Sequence, residues 1–216
     1  MFTTSFTLQD FVFLLQGAAT TLELTAASIV MGTFIGLILG WARITMPKAT
    51  LPIALLMDIF KSVPLLIQFV LFNALKSILN LDWSIFTIGY LVLGMYAAAF
   101  CTEIVRGGLL SVPLNLRRAS RSLGMSYWQD MRFIVLPLAA RVIFPGWLNL
   151  LLGLMKDTSL VMWIGIIELL RASQIIVTRI QEPLLVLCIV GVIYYVMSMV
   201  LAWLGSMLEK RWQEND

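Results

Sequence analysis

Lys156, Asp157, Thr158 and Ser159 form the strongest polar cluster inside any long apolar stretch of the sequence. A carboxylate accepts hydrogen bonds, while an ammonium and two hydroxyls donate them, so the four can hold a group of either charge. Neighbouring helix residues point about 100° apart, so Lys156 and Asp157 cannot face the same way. The same residues also suit a polar network that holds helices together. Asp58 and Lys61 lie three apart and can pair on one helix face. Ser62 follows them, and Pro64 should then break or kink the helix. Backbone freed in that way is tolerated in a membrane only against protein or a polar cavity. Glu103 and Arg106 have the same spacing and suit an ion pair. Glu23 stands beside Thr20 and Thr21 with no partner visible in the sequence.

None of this is covalent chemistry. The chain has 0 His, which removes the commonest general base and metal ligand. There is no G-x-x-x-x-G-K-[S/T] phosphate loop and no Ser/His/Asp, Cys/His or metal-ligand constellation. No catalytic residue and no metal site is expected. Cys101 and Cys188 lie in separate apolar blocks and are read as small buried hydrophobes.

A second concentration of charge runs from Asn115 to Gly124 and contains Arg117, Arg118 and Arg121. Pro113 should end the preceding helix. Asn115 suits the N-cap of a short new helix. Leu116, Ala119 and Leu123 then share one face, and the small Ala119, Ser120 and Ser122 let a partner approach closely. Gly124 suits a left-handed turn that closes the helix ahead of Met125. Ser126 and Gln129 match a capping box that opens a second short helix, and Pro137 is expected to mark the next break. An amphipathic helix resting on lipid is the simplest use of such a loop.

The elements that carry these residues are set by composition. The 216 residues are 60% hydrophobic and 12% charged, with a mean hydropathy of +0.94. Soluble domains carry about 25% charged residues, so this is an integral membrane protein with no room for a separate soluble domain. A spanning helix needs about 20 mostly apolar residues. Five blocks qualify: 14–41, 52–76, 84–110, 141–167 and 184–208. Their continuous apolar runs disfavour barrel strands. With the N-terminus outside, ten Lys and Arg fall inside against three outside, with Lys61 and Lys156 left within the membrane. The excess of cations inside selects that orientation, N-terminus out and C-terminus in. The net charge of +3 is explained by basic residues facing anionic lipid, so no nucleic-acid partner is expected. Trp and Phe read as interface anchors and lipid-facing bulk. No basic region precedes the first apolar run, so no cleaved signal peptide is expected. No internal repeat is visible, and residues 1–216 read as a single transmembrane domain.

The basic loop resembles the cytoplasmic signature of permease subunits of bacterial ABC importers. That signature is E-A-A, three residues, G, nine residues, I, one residue, L-P. Ala119, Gly124, Ile134, Leu136 and Pro137 fall at its offsets, while Arg118 and Ser120 stand at its Glu and second Ala. The charge reversal at Arg118 removes any carboxylate contact there. Further segments resemble the polar amino acid uptake subfamily: Gln16-Gly17, Thr20 to Leu24, Ser62 to Leu66, Glu103 to Pro113, Lys156 to Leu160, Ile164-Gly165 and Glu168 to Gln174. Together they cover roughly residues 16–211.

The resemblance implies a type I ABC importer permease fold, all-α with about five transmembrane helices, in the bacterial inner membrane. It implies that the loop at about 113–137 is a coupling helix contacting the ATPase through Arg117, Arg118, Ala119, Ser120, Arg121, Leu123, Gly124 and Met125. The implied partners are two ABC ATPase subunits, a second permease subunit (identical or similar) and a periplasmic solute-binding protein. ATP and Mg would be bound by the ATPase, leaving this chain without a cofactor. The implied substrate is an amino acid. Lys156, Asp157, Thr158, Ser159, Lys61, Ser62 and Glu103 are its candidate contacts, with Asp157 for the ammonium and Thr158, Ser159 or the N-terminus of a broken helix for the carboxylate. A permease of the same architecture for another small solute, and a scaffold or channel without an ATPase partner, are the alternatives.

Overall fold

A computed structural model describes residues 5–213; residues 1–4 and 214–216, which the single-domain expectation includes, lie outside the described residues. The described chain is helical throughout: α1 (Leu8–Thr45), α2 (Leu51–Ser62), α3 (Leu65–Ile78), α4 (Ile85–Leu110), α5 (Leu114–Ser122), α6 (Tyr127–Asp130), α7 (Leu136–Asp157), α8 (Leu169–Ile180) and α9 (Pro183–Gln213). Leu8–Thr45, Ile85–Leu110, Tyr127–Ile164 and Pro183–Glu209 are each long and apolar enough to cross a membrane. The remaining expected span is a bent pair. α2 and α3 meet at 110° across Val63 and Pro64, so the break expected at Pro64 is present and sharp. Gln68 repairs it: its Nε2 donates to the Phe60 carbonyl at 2.9 Å and the Val63 carbonyl at 2.8 Å. Backbone that no longer bonds within a helix must find such partners inside a bilayer.

α1 and α4 form the central pair. Lipid tails are as apolar as leucine, so helices in a bilayer associate through close packing of small residues. Gly32, Gly36 and Gly40 recur at four-residue spacing along α1. A Cβ at Gly32 would lie 2.5 Å from Ala97 Cβ, one at Gly36 2.5 Å from Cys101 Cβ, and one at Gly40 2.7 Å from Val105 Cβ. Ser28 adds a hydrogen bond to the Tyr90 carbonyl at 3.3 Å. Gly36→Ala should therefore overpack this seam and cost about 1–3 kcal/mol. Thermal unfolding of the detergent-purified protein measures it, and an unchanged midpoint would mean that the two helices can separate freely.

Two expectations about helix boundaries fail. Asn115 is not a cap: α5 begins at Leu114 behind Pro113, and Asn115 sits in the first turn, where its Oδ1 accepts from the Leu116 N–H at 3.0 Å. Proline supplies the extended residue before the helix, so the side-chain cap has no place to act. Nor does Pro137 break the chain. A π-helical turn over Met131–Val135 precedes α7, and the Leu136 N–H bonds the Met131 carbonyl five residues back. That wider turn makes room for a ring that would crowd the carbonyl four residues before it. The helical run continues to Asp157 and tightens into a 3-10 helix over Thr158–Ile164. Lys156–Ser159 thus sit near the end of this long rod, the Tyr127–Ile164 run. The rod end packs into the main core: Leu154 and Val161 join Leu24, Phe69, Val92 and Leu93.

Candidate functional site

The basic loop folds as helix, turn, helix. α5 ends at Ser122, Gly124 turns with φ of 79°, and Ser126 with Gln129 forms the expected capping box. A Cβ on Gly124 would meet nothing within 4 Å, so the glycine is required by its backbone angle alone. Leu116, Arg118, Ala119, Arg121, Leu123 and Gly124 are exposed. Ser120 is not. Its hydroxyl donates to Asp130 Oδ1 at 2.6 Å, and Arg117 Nε reaches Asp130 Oδ2 at 3.3 Å. Asp130 is completely buried. Ser120 and Arg117, both candidate partner contacts, fasten α5 to the foot of the Tyr127–Ile164 run. Met125 is half-buried. Trp41 at the end of α1 stacks on Trp128 with ring centres 6.2 Å apart. A cavity of about 340 Å³, lined by Trp41, Thr45, Arg117 and Tyr127 among others, separates the loop from α1. Around the cavity, Met131 and Val135 pack with Tyr127, Trp41 and Ile44, so polar bonds, a ring stack and apolar packing together attach the loop.

The seven candidate substrate contacts divide into two groups. Lys61 and Glu103 belong to a charge network that joins three helices. Arg43 of α1 pairs with Glu103 of α4, Arg106 Nε lies 2.9 Å from Glu103, Lys61 Nζ lies 2.7 Å from Asp58 and 3.7 Å from Glu103. The pairs expected at Asp58–Lys61 and Glu103–Arg106 are both present. Ser62 is exposed beside them. The second group is the rod end. Lys156 is exposed, Asp157 half-buried, Thr158 fully buried and bonded to the Met155 carbonyl at 2.7 Å, and Ser159 half-buried. Leu154 and Val161, on either side of this cluster, pack with Val92 and Leu93 of α4. From Leu93 to Glu103 is about 15 Å of helix rise, so the structure does not unite the groups on one spot.

Sequence reasoning missed Asp130, Arg43, Gln68 and Glu168. Asp130 carried a signal: it is the first carboxylate after Glu103, and it follows a run of cations. Arg43 lies 60 residues from Glu103 in sequence and gave none. Glu168 caps α8 by accepting from the Leu170 and Arg171 N–H groups at 2.8 and 2.7 Å, with the Tyr194 hydroxyl at 3.2 Å. Burial holds its carboxyl above the usual carboxylate range, against the pull of those donors. Gly17 lets α1 pass this turn, where a Cβ would lie 3.0 Å from the Glu168 backbone.

Known proteins share this arrangement. The chain is 32% identical over 216 residues to the probable amino-acid ABC transporter permease protein YckA of Bacillus subtilis (strain 168), covering 98% of this chain and 94% of that one. It is 31% identical over 201 residues to the glutamine transport system permease protein GlnP of Escherichia coli (strain K12), covering 92% of each. A crystal structure of an amino acid ABC transporter with histidines superposes with a TM-score of 0.85 at 26% identity, covering 96% of this chain and 99% of that chain. An inward-facing MetNI methionine ABC transporter shares the fold at a TM-score of 0.78 and 22% identity, covering 96% and 99%. The fold is that of a type I ABC importer permease. A profile of binding-protein-dependent transport system inner membrane components matches residues 14–214, and the chain, a multi-pass membrane protein, belongs to that family.

Proposed function

We propose that this chain is the transmembrane subunit of an ATP-driven amino-acid importer. It lies in the bacterial inner membrane with its N-terminus periplasmic and its basic loop cytoplasmic. It forms the pathway with a second permease subunit. Two separate ATPase subunits bind ATP and Mg below, and a periplasmic solute-binding protein delivers substrate from outside. The chain contributes no covalent step.

The observation that carries this reading is the continuous run Tyr127–Ile164, which joins the loop anchored at Asp130 to the polar cluster Lys156–Ser159. At about 1.5 Å per residue the path from Asp130 to Asp157 is about 40 Å, the thickness of a bilayer with its headgroups. Closure of the ATPases would push on the exposed Arg118, Ala119, Arg121 and Leu123. Arg117 and Ser120 would pass that push to Asp130, and the rod would tilt its far end. Small shifts become rocking because packed interfaces switch between discrete arrangements. At the far end Asp157 would accept from a substrate ammonium, and Ser159 would donate to the carboxylate.

Uptake by proteoliposomes holding the permease, its ATPase and its binding protein tests this. Asp157→Asn removes the charge and keeps the shape, so uptake should fall about tenfold, the worth of one charge-assisted hydrogen bond. ATPase docking should be retained. Full uptake by the variant would move the site to the partner subunit, and ATP-independent flux by the parent would identify a channel.

A further inference from the structure

We propose that a groove rising from the basic loop holds one anionic phospholipid, with its phosphate on Arg117 and an acyl chain between α1, α4 and α7. The inference needs only a chain that spans a bilayer, so it stands apart from the importer reading.

Two cavities lie end to end along the same elements. The lower, of about 340 Å³, is lined by Trp41 of α1, Leu109 of α4, Tyr127 and Met131 of the long run, and Arg117 of α5. The upper, of about 390 Å³, is lined by Leu37 of α1, Val105 of α4, and Leu136, Ala140 and Trp147 of α7. Leu37 and Trp41 are four apart, as are Val105 and Leu109, so α1 and α4 each show one face to both cavities. The long run would not do so as a plain α-helix, because Trp147 would then stand about 160° from Met131. The π-helical turn corrects this. Leu136 bonds the Met131 carbonyl five residues back, and the extra residue in that turn swings α7 round toward the Met131 side. The turn that accommodates Pro137 therefore also brings the two cavities into line.

The two cavities differ in chemistry. The side-chain polar groups of the upper one, the Trp147 indole N–H and the Thr33 hydroxyl, satisfy each other at 2.7 Å. An apolar cavity of this kind holds no water, and its walls lack packing until hydrocarbon fills it. Leu37 and Leu136 are each 48% exposed, so its rim is open to the bilayer. From Leu136 to Trp147 the rise is about 16 Å, close to the roughly 15 Å depth of one leaflet's hydrocarbon. The lower cavity has the cation. Arg117 gives its Nε to Asp130, and a guanidinium has further N–H donors in a fork that fits two phosphate oxygens. Asp130 is the one carboxylate between Glu103 and Asp157, and it is completely buried. Arg132, exposed beside Met131, adds positive charge. An anionic headgroup is favoured there, while a choline headgroup brings a like charge. A cation at the foot and hydrocarbon walls above it match an amphiphile one leaflet deep.

The test uses the full-length permease, purified in detergent and stripped of lipid. It is titrated with phosphatidylglycerol or with phosphatidylcholine of the same chains, and bound lipid is counted by native mass spectrometry. One phosphatidylglycerol should bind per chain about tenfold more tightly than phosphatidylcholine, the worth of one charge-assisted hydrogen bond. Arg117→Gln should abolish that preference. Because Arg117 also holds Asp130, Ala140→Trp serves as the second variant: it fills the upper cavity, leaves the loop alone and should weaken both lipids about tenfold. Arg121→Gln removes an exposed charge that lines neither cavity and should bind as the parent does. A preference kept by Arg117→Gln, or parent-like binding by Ala140→Trp, would overturn the proposal. An equal loss in Arg121→Gln would also overturn it, since the loop's overall charge would then be the cause. So would a parent that binds no lipid because a second copy covers the groove. None of these results bears on the importer reading, which uptake tests separately.

Discussion

Asp130→Ala is expected to abolish coupled transport while leaving the permease in the membrane. The carboxylate is completely buried and holds Ser120 at 2.6 Å and Arg117 at 3.3 Å. These are the side-chain bonds from α5 to the Tyr127–Ile164 run among the described residues, beside the short turn that links the two. Removing one member of a buried ion pair costs about 3–5 kcal/mol, because the other charge is left uncompensated. The Arg117 side chain is 21% exposed and can reach water, which places the loss at the low end of that range. About 3 kcal/mol is roughly a hundredfold in the ratio of fixed to loose α5. Asp130 lies at the foot of its run, ahead of the apolar stretch that crosses the bilayer, so insertion persists. ATP hydrolysis should continue while uptake per ATP falls by about the same hundredfold. Asp130→Asn keeps an acceptor for Ser120 and loses the charge, so its ratio should fall between parent and alanine. Uptake and phosphate release measured on the same proteoliposomes give the ratio, and an unchanged ratio in Asp130→Ala would remove the loop from the coupling path.

What could be read in advance follows the range of the force concerned. The turn at Gly124 and the Ser126–Gln129 box are governed by residues within three positions, and both are present as expected. The Pro64 break is local too, but its closure is not, since Gln68 reaches back eight residues to Phe60 and five to Val63. Pro137 misled because one proline rule competes with another: a ring that stops an α-helix is accommodated by a wider turn before it. The seam of Gly32, Gly36 and Gly40 was not read in advance: the spacing of four is in the sequence, but it names no partner helix, and only the structure sets it against Ala97, Cys101 and Val105. Charge pairs three apart, Asp58–Lys61 and Glu103–Arg106, were visible, while the tie from Glu103 to Arg43 crosses between helices distant in sequence. The candidate substrate residues were grouped by polarity alone. Helix geometry then separates them, because position along a rod is fixed by where the rod starts, and the rod starts at Tyr127 rather than at residue 141.

That separation gives the charge network a role of its own, and Glu103→Gln isolates it. Among the described residues, Glu103 is the carboxylate that pairs with all three cations, Arg43, Arg106 and Lys61, while Asp58 pairs with Lys61. Lys61 stands in the last turn of α2, immediately before the bend at Val63 and Pro64. Glu103 therefore ties the broken helix to α1 and α4 at the point where it is free to swing. The glutamine fills the same space and keeps hydrogen bonds, but leaves three positive charges against one negative one near the ends of three helices. The Glu103 side chain is 29% exposed, so a loss of about 1.5–3 kcal/mol is expected, the worth of a hydrogen bond to a charged group. The unfolding midpoint should fall, and uptake should fall with it as α2 loses its hold. Glu103→Gln combined with Arg106→Gln removes one of the stranded cations, so the pair should be less destabilised than the sum of the two single changes. Strict additivity in that cycle, read from thermal unfolding in nanodiscs, would mean that Glu103 and Arg106 act independently and that the network does not hold the broken helix.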